Sequence, residues 1–158
     1  MGYVVLAPNI RGSSGYGKAF EDANNPCWTH CDLRDVVQGV ALLKTLPYVQ
    51  AARMGITGNS YGGIMSMGAI AHAPGVFQAA AVTTPAFVLH GDGVTQSWRP
   101  GVYPIPASLE FVHALDQLNK VVKYKVYPGE TYYVGGRESS KQAWLDILEW
   151  FDRYLKDS

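Results

Sequence analysis

The chain has 158 residues, 47% hydrophobic and 16% charged, with 13 Lys and Arg balanced by 13 Asp and Glu. That size and apolar share suit one soluble domain with a single core. The absent net charge excludes the basic footprint of a nucleic-acid or anionic-membrane binder, and no apolar run reaches membrane-spanning length. Met1-Gly2-Tyr3 runs straight into apolar sequence with no basic leader, so a cytoplasmic location is expected.

Residues 3–8, Tyr-Val-Val-Leu-Ala-Pro, form a continuous apolar run, the pattern of a strand buried on both faces. Asn9-Ile10-Arg11-Gly12-Ser13-Ser14-Gly15-Tyr16-Gly17 follows as a glycine-rich loop at the carboxyl end of that run, the edge where open α/β sheets bind ligands. Tyr16 reads either as a surface aromatic or as a phenol placed to donate to a developing oxyanion, and position alone does not choose. Cys27 and Cys31 flank His30, but no second ligand pair stands at zinc spacing, so the cysteines read as structural or free thiols and no metal is expected.

Residues 32–46 read as a helix with Val36, Val40 and Leu43 on one face, Asp32 suiting its start and Pro47 stopping it. A second strand covers 53–58 and a helix 61–72, where Met65 and Met67 are packing residues and His72 takes no role. Residues 78–82 and 86–90 read as strands, yet only Thr83-Thr84-Pro85 separates them. Parallel neighbours need a crossover of about a dozen residues. The pair is therefore a hairpin, one long bent strand, or the scar of a missing segment. Residues 108–119 read as a helix with Phe111, Leu115 and Leu118 on its stripe and His113 opposite. Residues 121–127 form the last strand, and 139–155 a closing amphipathic helix with Trp144, Leu148, Phe151 and Leu155 inward. This alternation predicts an α/β fold: one domain over 1–158, with a mostly parallel sheet of about five strands and flanking helices.

The chemistry centres on Met54-Gly55-Ile56-Thr57-Gly58-Asn59-Ser60-Tyr61-Gly62-Gly63, an apolar β run that ends in G-x-S-x-G and passes at once into a helix. That is the setting of a nucleophile elbow. Gly58 and Gly62 allow backbone to pass close by a sharp turn, and the helix start aims its amides and positive dipole end at the Ser60 hydroxyl. A bare G-x-S-x-G is a weak signal, but between a strand and a helix it reads as a nucleophilic serine rather than a glycine-rich turn.

The segment from Gly2 to Gly17, Asp32-Leu33-Arg34-Asp35-Val36, Gly58-Asn59-Ser60-Tyr61-Gly62-Gly63, Val88-Leu89-His90-Gly91 and Tyr127-Pro128-Gly129-Glu130 together resemble the prolyl oligopeptidase family, in family order across nearly the whole chain. The resemblance implies an α/β-hydrolase catalytic domain, a serine peptidase with esterase-like kin. It implies Ser60 as nucleophile, with the Tyr61 backbone amide and the Tyr16 hydroxyl as oxyanion donors. It also implies that the domain here is incomplete. A family strand with a His-Gly-Gly-type loop precedes the segment at which this sequence starts, and the link at 83–85 omits a family segment that supplies a helix. The other triad positions depart from the pattern. Val94 takes the place of the aspartate, leaving Asp92, two residues early, as a stand-in or as a turn aspartate beside Gly93. Tyr132 stands where the family has its histidine, and a phenol with a pKa of about 10 is a poor base at neutral pH. His30, on the long loop from the first strand, is the substitute base to consider.

Two functions follow as expectations. One is a serine hydrolase that cleaves a small ester or peptide substrate through a Ser60 acyl-enzyme, with no cofactor. The other is a catalytically impaired or inactive relative that serves as a binding or incomplete domain. In either case unpaired backbone along an exposed sheet edge favours self-association.

Overall fold

The computed structural model describes residues 2–25, 27–83, 88–90, 93–95, 105–130 and 134–156. In chain order the elements are α1 (Lys18–Glu21), a 3-10 turn (Asp22–Asn24), α2 (Cys31–Lys44), β1 (Gly55–Asn59), α3 (Tyr61–His72), β2 (Ala79–Thr83), β3 (Val88–His90), β4 (Gly93–Thr95), α4 (Ile105–Gln117) and α5 (Arg137–Leu155). No helix among the described residues is long and apolar enough to cross a membrane.

The centre is a βαβ unit. β1 passes through Ser60 into α3, and the chain returns as β2, parallel to β1 from Gly55↔Ala79 to Asn59↔Thr83. Gln78 sets that register: its amide donates to the Met54 carbonyl at 2.8 Å, and its side-chain oxygen accepts the Met54 amide at 2.8 Å. α3 is rich in Gly, Ala, Ile and Met, so it can be covered on more than one side. Its Met65 and Ala69 form the core with Leu33 of α2, and Ile10, Val36, Val37, Ile56, Tyr61 and Phe77 pack around them. Ser66 is fully buried within this apolar helix, and its hydroxyl is satisfied by donating to the Gly62 carbonyl at 2.8 Å.

The helices stand close to where periodicity places them, but strand and helix alternate only through β1, α3 and β2, after which β2, β3 and β4 follow one another and α4 and α5 close the chain. The strands differ. Among the described residues the parallel sheet is the β1–β2 pair, and the other ladder is the short antiparallel β3–β4 pair. β3 therefore pairs with the residues just after it, not with β2 across the short link. Residues 3–8 join no ladder. Tyr3 donates to Asp152 of α5 at 2.6 Å, Leu6 rests on Gly39 of α2, and Val5 is 85% exposed. Residues 121–127 also run outside any ladder, tied to α5 by Lys123 with Glu149 at 3.1 Å, Lys125 with Asp146 at 2.5 Å, and Tyr127 with Asp146 at 2.7 Å. A cavity of about 750 Å³ lies between that segment and β2, lined by Ala80, Val82, Phe111, Leu115 and Trp150 among others. The gap is the physical reason: an apolar run becomes a strand only when an edge lies within hydrogen-bonding distance.

Two side chains also turn away from their expected faces. Trp144 is 63% exposed, because α5 gives Ala143, Ile147, Trp150 and Tyr154 to the cavity while Phe151 and Leu155 close on Gly55. Leu118 is 66% exposed, since α4 ends at Gln117 and the stripe ends with it. Packing energy should follow this split. Leu155→Ala is expected to cost about 3 kcal/mol in urea unfolding, within the range for truncating a buried leucine. Trp144→Ala should stay within about 0.5 kcal/mol of wild type in the same experiment.

Candidate active site

Ser60 links β1 to α3 with φ 58° and ψ −118°, a left-handed conformation that few non-glycine residues adopt. Neighbouring backbone holds it there. Its amide donates to the Thr83 carbonyl at 3.3 Å, and its own carbonyl accepts the Ile64 amide at 3.1 Å as the first bond of the helix. The Thr83 hydroxyl donates to the Gly58 carbonyl at 3.1 Å, which binds the other side of the turn to β2. A Cβ on Gly58 would overlap the Gly62 carbonyl, so Gly58 is required by close approach. The Tyr61 amide is the first of α3, and the first amides of a helix have no partner within it. Half-buried Ser60 and that amide thus share one turn, the arrangement needed to hold an oxyanion beside a nucleophile.

The Tyr61 side chain has a second task. Its hydroxyl donates to Oδ2 of Asp32, which is fully buried at the start of α2, while Oδ1 of Asp32 accepts the Leu33 amide at 2.9 Å. Trp28 stands edge-on to the Tyr61 ring at 6.0 Å. Burial first, and then the Asp32 carboxylate, push the Tyr61 pKa far above its usual value, with the Asn24 side chain and the Thr29 backbone pulling the other way. The residue next to the nucleophile is therefore anchored to a different helix.

The glycine-rich loop is clamped to the same helix. Arg11 donates to Asp35 from its backbone amide at 2.9 Å, from Nε at 2.8 Å and from Nη2 at 2.6 Å. This pairing holds the Asp35 carboxyl below the usual carboxylate range and raises Arg11. Gly12, at φ 92°, leaves the space that buried Asn24 fills. Tyr16 is 58% exposed, its ring lies 5.3 Å from that of Phe20, and its hydroxyl accepts a hydrogen bond from the Asn9 side-chain Nδ2 at 2.5 Å.

His30 is exposed, with Nδ1 3.2 Å from the Trp28 carbonyl oxygen and its ring 5.0 Å from that of His72. His72 closes α3, which at 1.5 Å per residue puts it roughly 16 Å along the helix from Tyr61. The structure sets His30 toward the far end of α3 and does not bring it to Ser60. Asp92 and Tyr132 lie outside the described residues. Cys27 and Cys31 are joined in a disulfide, with 5.7 Å between their Cα atoms. Sequence reasoning found the elbow but missed both ties to α2. The signal was Asp32-Leu33-Arg34-Asp35: acids three residues apart at a helix start share one side, here facing the loop and the elbow.

Two measurements test these ties. Tyr61→Phe should lower stability by about 2 kcal/mol by leaving the buried Asp32 carboxylate short of a donor. A double-mutant cycle with Asp32→Asn should show coupling between the two. The Arg11–Asp35 pair fixes a pH dependence. A carboxylate with a depressed folded pKa stabilises fully above its unfolded value, about 4, and loses that contribution as pH falls through the lower folded value. Urea midpoints recorded from neutral to acid pH should therefore drop below about pH 4, and less steeply in Asp35→Asn.

The model of the prolyl oligopeptidase family matches residues 1–103 of this chain. A probable dipeptidyl-peptidase 5 of Aspergillus terreus is 25% identical over 203 residues, taking in 97% of this chain and 27% of its own. The acylamino-acid-releasing enzyme of Arabidopsis thaliana is 22% identical over 206 residues, taking in 99% of this chain and 27% of its own. Both alignments run longer than the 158 residues present here, so these relatives carry segments that this chain skips. Among solved structures, Porphyromonas gingivalis dipeptidyl peptidase 4 matches with TM-score 0.80 and 18% identity, over 92% of this chain and 26% of that one. The chain thus spans about a quarter of the length of these proteins. The structural likeness gives the fold, an incomplete α/β-hydrolase.

Proposed function

Since the chain belongs to the prolyl oligopeptidase family, we propose that it is a serine hydrolase whose Ser60 attacks the carbonyl carbon of a peptide or small ester. The observation that carries this reading is Ser60 held at φ 58° on the strand-to-helix turn beside the first amide of α3. Serine Oγ adds to the carbonyl as its proton passes to solvent and on to the departing alcohol or amine, and the oxyanion is received by the Tyr61 amide and the Tyr16 hydroxyl. The alcohol or amine then leaves, and water releases the acyl group from Ser60. The names of the relatives, a dipeptidyl-peptidase and an acylamino-acid-releasing enzyme, support peptide carbonyls as the substrate class.

A second reading has its own support. His30 is turned to His72, and Tyr132 occupies the place where the family pattern has its histidine. A serine without a base loses several orders of magnitude in rate and keeps what oxyanion stabilisation and binding provide. Such a chain is an impaired relative with a binding role. An activated ester separates the two, because p-nitrophenolate leaves without needing a proton. Under the hydrolase reading, p-nitrophenyl acetate is cleaved above background, Ser60→Ala abolishes the cleavage, and Tyr16→Phe lowers kcat by about 100-fold. Equal rates for wild type and Ser60→Ala, with both proteins folded, would sustain the impaired reading instead.

A further inference from the structure

The disulfide lies outside the chemistry just described, yet the residues it encloses touch the elbow helix. We propose that Cys27–Cys31 is a reversible thiol–disulfide site, exchanging with small thiols of the glutathione class, and that its bond clips a short cover onto the elbow helix. The inference holds whether or not Ser60 turns over.

Trp28, Thr29 and His30 lie between the two cysteines, and each contacts α3. Trp28 stands edge-on to Tyr61, Thr29 lies against Gly68, and His30 stacks near His72 at the helix end. The Thr29 backbone also bears on the Tyr61 hydroxyl. Thr29 has φ 64°, an outlier for a β-branched residue that persists only where its surroundings impose it. The disulfide encloses that residue. A closed loop this short restricts the unfolded chain least, so the main effect of the bond is on local conformation.

The two sulfurs differ in access. Cys27 is half-buried, whereas Cys31 is 8% exposed and opens the 14-residue α2. An incoming thiolate therefore reaches Cys27 first, and Cys31 is the sulfur that leaves. The incoming thiolate attacks Cys27 Sγ, the S–S bond breaks, and its electron pair leaves on Cys31 Sγ. A second thiolate from the reductant attacks its own sulfur in the mixed disulfide, releases the Cys27 thiolate and leaves the reductant as a disulfide. Two electrons enter the protein, and each thiolate takes a proton as pH dictates. Reoxidation by a small disulfide reverses the steps. Once the bond is broken, Thr29 can leave its left-handed conformation, and the cover over Tyr61 loosens.

The test uses the whole chain purified without reductant. Iodoacetamide should add no mass before dithiothreitol and two carbamidomethyl groups after it. Titration across ratios of reduced to oxidised dithiothreitol should give one reversible two-electron transition. Along it, tryptophan emission should shift to the red by several nanometres, and the shift should vanish in Trp28→Phe. Cys27→Ser should show the reduced emission without any reductant, while the wild-type titration decides independently of that variant. Alkylation before reductant would overturn the proposal, as would a bond that dithiothreitol leaves intact in the folded protein. A reduction that leaves Trp28 emission unmoved would also overturn it.

Discussion

Between Gly58 at the end of β1 and Gly62 in the first turn of α3, the backbone approaches itself so closely that no side chain fits. That contact sets the angle at which strand becomes helix, and the angle forces Ser60 into its left-handed conformation. The turn is not self-supporting. β2 bonds it on both sides through Thr83, from the carbonyl to the Ser60 amide and from the hydroxyl to the Gly58 carbonyl. The parallel ladder therefore does more than build a sheet. It supplies the partners that over-determine a strained residue, which is the condition under which such strain persists.

Tyr61 carries the constraint outward. Its backbone starts α3, and its hydroxyl reaches the buried carboxylate of Asp32 on α2. Three residues further along α2, Asp35 takes three donors from Arg11 and so fixes the loop that presents Tyr16. One helix thus ties down both Tyr61 and the loop of Tyr16, the two residues proposed to serve the oxyanion. Neither carboxylate need touch substrate for its loss to be felt at Ser60. In a catalytic domain that skips segments its relatives carry, this part of the scaffold is intact, whereas the group that would accept the Ser60 proton is where the family pattern breaks.

The legible parts of the fold were those set by local rules. The α3 boundaries follow from the elbow and the apolar run behind it, and α2 and α5 follow from their stripes to within two residues of their observed ends. The runs at 3–8 and 121–127 were misread as strands because alternation and apolarity report a tendency to extend, whereas a ladder depends on a neighbour that sequence does not place. Trp144 went outward for a similar reason. α5 packs on two surfaces, β1 and the cavity wall, and one stripe cannot describe two faces. At the site, Ser60 was readable from G-x-S-x-G set between strand and helix, although of the two glycines close approach requires Gly58 and leaves Gly62 in open space. The Tyr61–Asp32 bond joins residues 29 positions apart, and the left-handed Thr29 between the two cysteines is something no spacing rule anticipates.

The βαβ unit is continuous from Gly55 to Thr83, so the contacts that shape the elbow are close in sequence. Chains close short loops before long ones, and regions of low contact order assemble first. The tie from Tyr3 to Asp152 joins the two ends of the chain and follows later. The Ser60 turn therefore belongs to the nucleus, and the outer ties belong to the last steps. In the reverse direction the outer layers open first, as cooperative units of lower stability than the centre. A chain partly opened in this way keeps a formed elbow with nothing over it.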